Sequence, residues 1–577
     1  MKEACAPLLQ THRRGFLLGL GAAAMAGPAA RAAAPTRLVG VLEETPSVIN
    51  PAITAVISSY YAGTPVYSAL THIDPDGTVR PDLALSWDAA ADGLSYTFHL
   101  RENVVWHDGQ PFTAADVKFS IENANAKLHP WGRGAYRAVS LIETPDDHTV
   151  VLHLKQPSAA LMFGTDGSCG AILPKHIWEG TEILKNPHNL SPIGTGPYRF
   201  VEMIAGDRLR YVRNEKYFIP NEPYFDEIVL RIIPDPAARV AAFENGEVDT
   251  LYMNALPFSE APRLAAQKDV VLKKTNLRGA GFMGIFNTRN KPYSDVKVRQ
   301  AVAHAIDRGF IRENVDKGFT IKMLGPVPPA SPLYNTGLKD YDYDPALANK
   351  MLDEAGYPKD ANGIRFGFDF LWPAADAGVT RMADVLRQNL AAVGIEAHLQ
   401  PLDRAALTQK GYIALQFDML CESYGLGPDP DIGVERLYNS HSIFHPPLPY
   451  TNASGYSNPE VDSLFDAQRV QLDPAARKRT YDRIQELIWA DLPVLPMFSY
   501  EAPNVYRASV VTGIYEGSYG NQESFAKAKP PAAPAKPAES AQAAGLPGWA
   551  APVAAATAVV AVGGVWLRRR SASRDGD

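Results

Sequence analysis

Apolar and polar side chains change their spacing several times along this chain, and each change predicts an element. Tyr96, Phe98 and Leu100 alternate with Thr97, His99 and Arg101, the period-two pattern of a strand with one buried face. Residues 149–155 (TVVLHLK) and 208–213 (RLRYVR) repeat that pattern, and the runs 225–233 (FDEIVLRII) and 364–371 (IRFGFDFL) predict further strands. Asp76-Gly77, Asp92-Gly93 and Asp108-Gly109 punctuate the first part as turns. Farther along the spacing becomes helical. Val298, Val302, Ala305 and Ile306 share one face, as do Met382, Val385, Leu386 and Val393, and again Tyr481, Ile484, Leu487 and Ile488. The whole predicts a mixed α/β body over 36–525, with no low-complexity break.

Both ends depart from this pattern. Residues 11–34 read THRRGFLLGLGAAAMAGPAARAAA, with Arg13-Arg14 before a mildly apolar run and small residues for cleavage before Pro35. This predicts an export signal over 1–34, too short for a membrane span. The paired arginines resemble a twin-arginine signal, with a general secretory signal as the alternative. Cys5 precedes the apolar run, so the mature protein is not expected to be lipidated. At the other end, 526–548 is a Pro/Ala-rich linker. It leads to Trp549–Leu567, uninterrupted and uncharged, and then to Arg568-Arg569-Arg570 in a short basic tail over 568–577. At ~1.5 Å per residue this stretch would span roughly 28 Å, about the hydrocarbon thickness of a bilayer. The arginines would stay cytoplasmic and leave the body outside. Pro552, Gly563 and Gly564 weaken the apolar run, and three readings stay open: a transmembrane segment, a processed sorting tail, or a loosely held tail. Leu546-Pro547-Gly548 resembles the start of a sortase-type motif, from which Trp549-Ala550 departs.

Length and composition then narrow the classes. A chain of 577 residues suggests two to four domains. At 46% hydrophobic and 21% charged, it can bury a core. The net charge of −7 becomes −10 once 1–34, with four basic residues and one acidic, is removed; a nucleic-acid partner is not expected. Three cysteines exclude a disulfide framework or a thiolate-rich metal cluster. Cys169 and Cys421, the two in the mature chain, fall in different predicted domains.

Catalytic and metal motifs are missing from the sequence. There is no G-x-S-x-G elbow and no H-E-x-x-H. Gly194-Thr195-Gly196-Pro197 lacks the Lys-Ser/Thr of a phosphate loop and reads as a structural turn. His441 and His445 are four apart, but the prolines from 446 onward disfavour a helix there, so they read as loop histidines. Asp429-Pro430-Asp431 could pair carboxylates, and reads more readily as a helix cap or turn. No catalytic residue, metal site or cofactor is expected.

Residues 81–121 read PDLALSWDAAADGLSYTFHLRENVVWHDGQPFTAADVKFSI. Pro81 to Trp87, Asp92 to Arg101 and Trp106 to Val117 strongly resemble the family 5 extracellular solute-binding proteins of ABC transporters, the peptide/nickel-binding group. The resemblance continues through 192–200 (PIGTGPYRF), 235–249 (DPAARVAAFENGEVD), 295–307 (DVKVRQAVAHAID), 343–357, 428–431 and 456–462. It covers about 36–520.

The resemblance implies a class II periplasmic-binding-protein-like α/β fold: two lobes with a hinge and an extra inserted subdomain. By analogy lobe I comprises 36–66, 191–279 and 498–525, the inserted subdomain 67–190, and lobe II 280–497. It implies an extracytoplasmic binding subunit, periplasmic or at the cell surface. The partners implied are a small solute of oligopeptide type, permease subunits and a cytoplasmic ATPase, with the binding protein itself monomeric. Dipeptide-type members use an Asp shortly before Asp-Pro-Asp and an Arg in a loop after a Trp-x-x-Pro-like segment. Here the first position falls on Leu426, and the loop Trp372 to Ala377 has no Arg before Arg381. A free dipeptide is therefore disfavoured, which leaves oligopeptides, modified peptides or a non-peptide solute; a nickel chelate finds no histidine cluster. A membrane-tethered sensor is the alternative function, and an enzyme the third. Ser58, Ser59 and Tyr60, Trp372, and Tyr424 with Asp429 are expected to line the cleft.

Overall fold

Alternating runs become sheets with one apolar face. The computed structural model describes residues 36–531 apart from 75–76, 253–254, 375, 445–449 and 516–521. The predicted export signal and the segment 549–567 lie outside the described residues, as do most of the linker and His445. Among the described residues no helix is long and apolar enough to cross a membrane.

The first sheet has four strands, in the order Arg37–Leu42, Glu227–Ile232, Arg208–Arg213 and Tyr198–Ile204. Its first pair is parallel and the rest antiparallel. Leu209 and Tyr211 face inward with Ile228 and Leu230, while Arg208 and Arg210 face out. The helix Pro236–Glu244 packs against this core; Asp235 caps it by accepting the Ala238 N–H at 2.7 Å. That core also takes in Phe525 and Ala528, and Ala526 between them is buried. It thus extends into the stretch assigned by composition to the linker, because the alanines are small enough to bury beside the helix Gln522–Lys527.

A second four-stranded sheet is antiparallel throughout, in the order Ala84–Ala89, Ser95–Leu100, Thr149–Leu154 and Val139–Asp146. Tyr96, Phe98 and Leu100 are buried in its core with Val150 and Leu152. The helix Ala114–Ser120 carries a capping box between Thr113 and Asp116. This subdomain is joined firmly to lobe I. Phe119, Ala124, Leu173 and Trp178 belong to the lobe I core. His107 links its turn to the Gly194 loop: its main chain donates to the Gly194 carbonyl at 2.9 Å, and its Nε2 pairs with the Gly196 carbonyl at 3.0 Å. Gly194-Thr195-Gly196 is accordingly a structural turn.

The third sheet has seven strands, and two of them are long. Val270–Phe286 (17 residues) and Val494–Arg507 (14 residues) run antiparallel. Val270, Val505 and Tyr506 lie in the lobe I core, whereas Phe282, Phe286, Leu495 and Phe498 lie in a core of lobe II. The register shifts between Asn276 and Gly281, between the two bodies. This strand pair is the hinge of a two-lobed, class II binding-protein fold. In lobe II, Met419–Gly425, Phe366–Pro373 and Ile395–Leu402 extend the sheet, and the short strands Thr250–Leu251 and Thr320–Lys322, both paired with Val494–Arg507, complete it. Met382 and Leu386 on helix Ala377–Ala392 cover one face, and Tyr481, Ile484 and Ile488 on helix Pro474–Asp491 cover the other. Cys169 and Cys421 are both buried and unpaired.

His129 is fully buried, and burial lowers its pKa to about 3. Its Nδ1 accepts the Trp131 and Gly132 N–H groups at 3.2 and 3.1 Å, so Nε2 carries the proton and donates to the Thr54 carbonyl at 3.1 Å. The ring is held neutral, below the unfolded value of about 6.5. The unfolded chain therefore binds a proton first as pH falls. Stability unaffected above that value should decline from about pH 6.5 towards pH 3, by about 1.4 kcal/mol per unit from this group. Urea midpoints measured from pH 7 to 4 should show this slope, reduced in His129→Gln; equal slopes in both proteins would refute it.

Candidate functional site

Beside the hinge, lobe II presents a small polar cluster. Asp376 caps helix Ala377–Ala392: its Oδ1 accepts the Gly378 and Val379 N–H groups at 3.0 and 3.1 Å. Its Oδ2 accepts from Ser423 N–H at 3.1 Å and Oγ–H at 2.8 Å. Ser423 Oγ is also 2.6 Å from the Tyr500 hydroxyl on the hinge strand. One turn into the helix, Arg381 lies 3.3 Å from Asp316 and sets its guanidinium 5.0 Å from the centre of the Phe258 ring. Phe258 belongs to the lobe I core, so this contact passes from one lobe to the other. Burial pushes Asp316 up in pKa while Arg381 pulls it down. The Arg381 side chain keeps 36% of its surface open, against 1% for Asp316. It therefore has N–H groups to offer a carboxylate.

The six residues expected to line the cleft fall in separate environments. Ser58, Ser59 and Tyr60 lie on the short helix Ile57–Gly63 of lobe I. Ser58 donates to Glu44 at 2.7 Å, Ser59 is fully buried, and Tyr60 is half-buried. Trp372 is buried in the lobe II core, 5.3 Å from Phe370, and donates to Thr380 at 2.9 Å. Tyr424 packs in the core on the opposite face of the same sheet. Period-two alternation separates them: Met419 and Cys421 face the Trp372 side, and Leu420 and Tyr424 the other. The Tyr424 hydroxyl meets that of Tyr412, which also donates to the buried Glu422. Asp429 caps the turn Pro430–Gly433 and is held by two Arg477 bonds of 2.7 and 2.8 Å. Leu426 is buried and apolar.

Arg381 lies just beyond the loop from Trp372 to Ala377, and nothing in the local sequence marks Ser423, Tyr500 or Phe258 as its neighbours. The Asp376-Ala377-Gly378 cap was the one local signal. His441 sits in the short turn Ser440–Ser442. Among the described residues no group of three or more His, Cys, Asp or Glu is placed to hold a metal ion. A depression of about 640 Å³ lies on the outer face of the lobe I sheet. Its charges are engaged with one another, Arg210 with Glu227 and Arg231 with Glu247, and it lies away from the hinge.

Comparison with known proteins supplies the kinship. Residues 78–444 match the model of the bacterial extracellular solute-binding proteins, family 5 Middle. The chain is 30% identical over 511 residues to the dipeptide-binding protein of Escherichia coli strain K12, covering 84% of this chain and 93% of that protein. It is 28% identical over 484 residues to heme-binding protein A of Haemophilus influenzae, covering 79% and 85%. Its fold matches NikA from Brucella suis, solved in complex with Fe(III)-EDTA, with a TM-score of 0.76 and 26% identity, covering 86% of this chain and 100% of that one. With the family match spanning most of the chain, and with a hinge of two strands shared by both lobes, this chain belongs to the family 5 bacterial extracellular solute-binding proteins.

Proposed function

We propose that this chain is the exported substrate-binding subunit of an ABC importer. It closes two lobes over a peptide or related solute and presents the closed form to a membrane permease driven by a cytoplasmic ATPase. The observation that carries this reading is the strand pair Val270–Phe286 and Val494–Arg507, which runs through both cores with Arg381 beside it. A solute can shift such a hinge only if it binds the closed state better. The chain binds its solute without turning it over.

The lobes are assigned as 36–66, 191–279 and 498–525 for lobe I, 67–190 for the inserted subdomain and 280–497 for lobe II. Separate buried clusters in the subdomain (Phe98, Val150) and in lobe II (Phe370, Leu386) support the division, while the lobe I core takes in Phe119 and Trp178 from the subdomain and Phe319 from lobe II. We assign Tyr60 to the solute, and Ser58, Ser59, Trp372, Tyr424 and Asp429 to the support behind it. Arg381 is assigned to a solute carboxylate. The apolar Leu426 offers nothing to a free amino end, which favours longer or modified peptides, or another carboxylate-bearing solute. The relatives' names include both peptide and non-peptide binders.

Mass spectrometry of material co-purified with the full chain should identify the solute, and adding it back should raise the melting temperature. Arg381→Met should weaken that binding by about 10- to 100-fold, as expected for a lost charge-assisted hydrogen bond. Unchanged affinity would remove Arg381 from the site. A stabilising shift with non-peptide solutes alone would replace the peptide assignment.

Twin-arginine export and tethering through 549–567 complete the proposal. The full chain should fractionate with membranes, and a chain ending at 545 should be released. A soluble full-length product shortened at its C-terminus would favour the processed sorting tail instead.

A further inference from the structure

The inserted subdomain meets lobe II away from the hinge strands, at a buried cluster of charge. Asp431 and Glu435 of lobe II are nearly inaccessible, with 3% and 10% of their side-chain surfaces open. Within lobe II their cation is Arg469, which pairs with Glu435 and lies 3.5 Å from Asp431. Arg469 is also shared with the exposed Asp466. The next arginine, Arg477, is committed to Asp429 through two bonds and to Gln468 at 2.9 Å. Gln468 in turn donates to Asp431 at 2.5 Å. Two buried carboxylates thus share one arginine, and lobe II by itself is one positive charge short. Uncompensated buried charge is strongly unfavourable.

The missing charge comes from the other body. Arg137, just after the short helix Gly132–Ala135 of the subdomain, bonds Asp431 and lies 3.7 Å from Glu435. Around it, Ala135 and Ala160 of the subdomain pack on Ile432 of lobe II. The Ala159 N–H donates to the Arg469 carbonyl at 3.1 Å. The subdomain shares its buried residues with lobe I, so these contacts bridge the two bodies that the hinge allows to move.

The geometry points to Arg137 as the key residue of a latch, by which the inserted subdomain holds lobe II in its docked position. This rests on the import reading, in which the lobes open and close over a solute. Opening would return Asp431 and Glu435 to a state with Arg469 as their shared cation and the neutral Gln468 and Asn439 as their other donors. The latch therefore sets how readily the docked form persists, without touching the solute.

The test is hydrogen exchange on the full chain without added solute, comparing the parent with Arg137→Ala and Arg137→Lys. In Arg137→Ala, exchange at Ala159 and across 430–437 should rise about tenfold, while the hinge strands and both lobe cores stay unchanged. Arg137→Lys should recover part of the protection. Adding Arg137→Ala to Asp431→Asn should have a smaller effect than it has in the parent, because the pair is already broken. Exchange at these segments within about twofold of the parent would overturn the latch, as would a rise spread over all segments, which marks a general loss of stability. Solute binding is read separately: a latched protein that shifts with no solute would sink the import reading and leave the latch standing.

Discussion

Replacing Asp429 with alanine is expected to destabilise lobe II by about 4 kcal/mol, within the range found when one partner of a buried ion pair is removed. Asp429 and Arg477 are 2% and 8% exposed at their side chains. The change strips Arg477 of both carboxylate bonds, leaving the guanidinium with Gln468 as its polar partner in a dry site. It also removes the cap of the Pro430–Gly433 turn, where Asp429 accepts the Asp431 N–H at 2.9 Å, a loss of about 1 kcal/mol. Adding Arg477→Met should recover much of the loss, since an apolar pair of similar volume does not strand a charge. Urea unfolding followed by a probe in lobe II checks both. A shift below about 1 kcal/mol for Asp429→Ala, or strictly additive effects in the double variant, would contradict the account. The loss should also loosen the neighbouring Arg137 contact, because Gln468 connects Arg477 to Asp431.

Gly194→Ala is expected to cost about 3 kcal/mol or more, because the new methyl would meet main chain that cannot move aside. A Cβ at Gly194 would stand 1.9 Å from the Val66 carbonyl oxygen. The same loop receives both ring nitrogens of His107, so moving it would also break the tie between the subdomain and lobe I. Gly180→Ala is the control. Gly180 has φ +76° with nothing within 4 Å of the built Cβ, so only the left-handed backbone penalty of about 1–2 kcal/mol applies. Equal thermal destabilisation of the two variants would show that crowding at Val66 is relieved elsewhere.

Much of the fold was legible because short-range alternation reports directly which face of a strand is buried. Tyr96, Phe98 and Leu100 were assigned inward from spacing and are inward. The helix through Val298, Val302 and Ala305 likewise buries the predicted face. The hinge strands were not legible. Val270–Phe286 contains Lys273-Lys274 and three glycines, and Val494–Arg507 contains Pro496 and Pro503. Locally these look like interruptions. They are tolerated because each strand passes between two cores and shifts register there.

The candidate site was less legible still. Trp372 and Tyr424 are both aromatic and both near the family's ligand segments, yet strand parity places them on opposite faces of one sheet. Arg381 lies beyond the loop where a carboxylate reader was sought, and a helical side chain leans back towards the N-terminal end of its helix. That lean helps a residue one turn into the helix reach Phe258 of the other lobe.

Apolar spacing set out the regular strands and helices, composition the acidic body and the two apolar ends, and the long motif the family. Tertiary structure decided which charges meet. Arg137 and Asp431 stand 294 residues apart, and nothing in the spacing near either one names the other. Local pattern records how a residue sits in its own element, because burial repeats with the period of that element. Pairing between bodies depends on strand order and lobe docking, which bring distant surfaces together and leave a buried carboxylate needing a particular arginine.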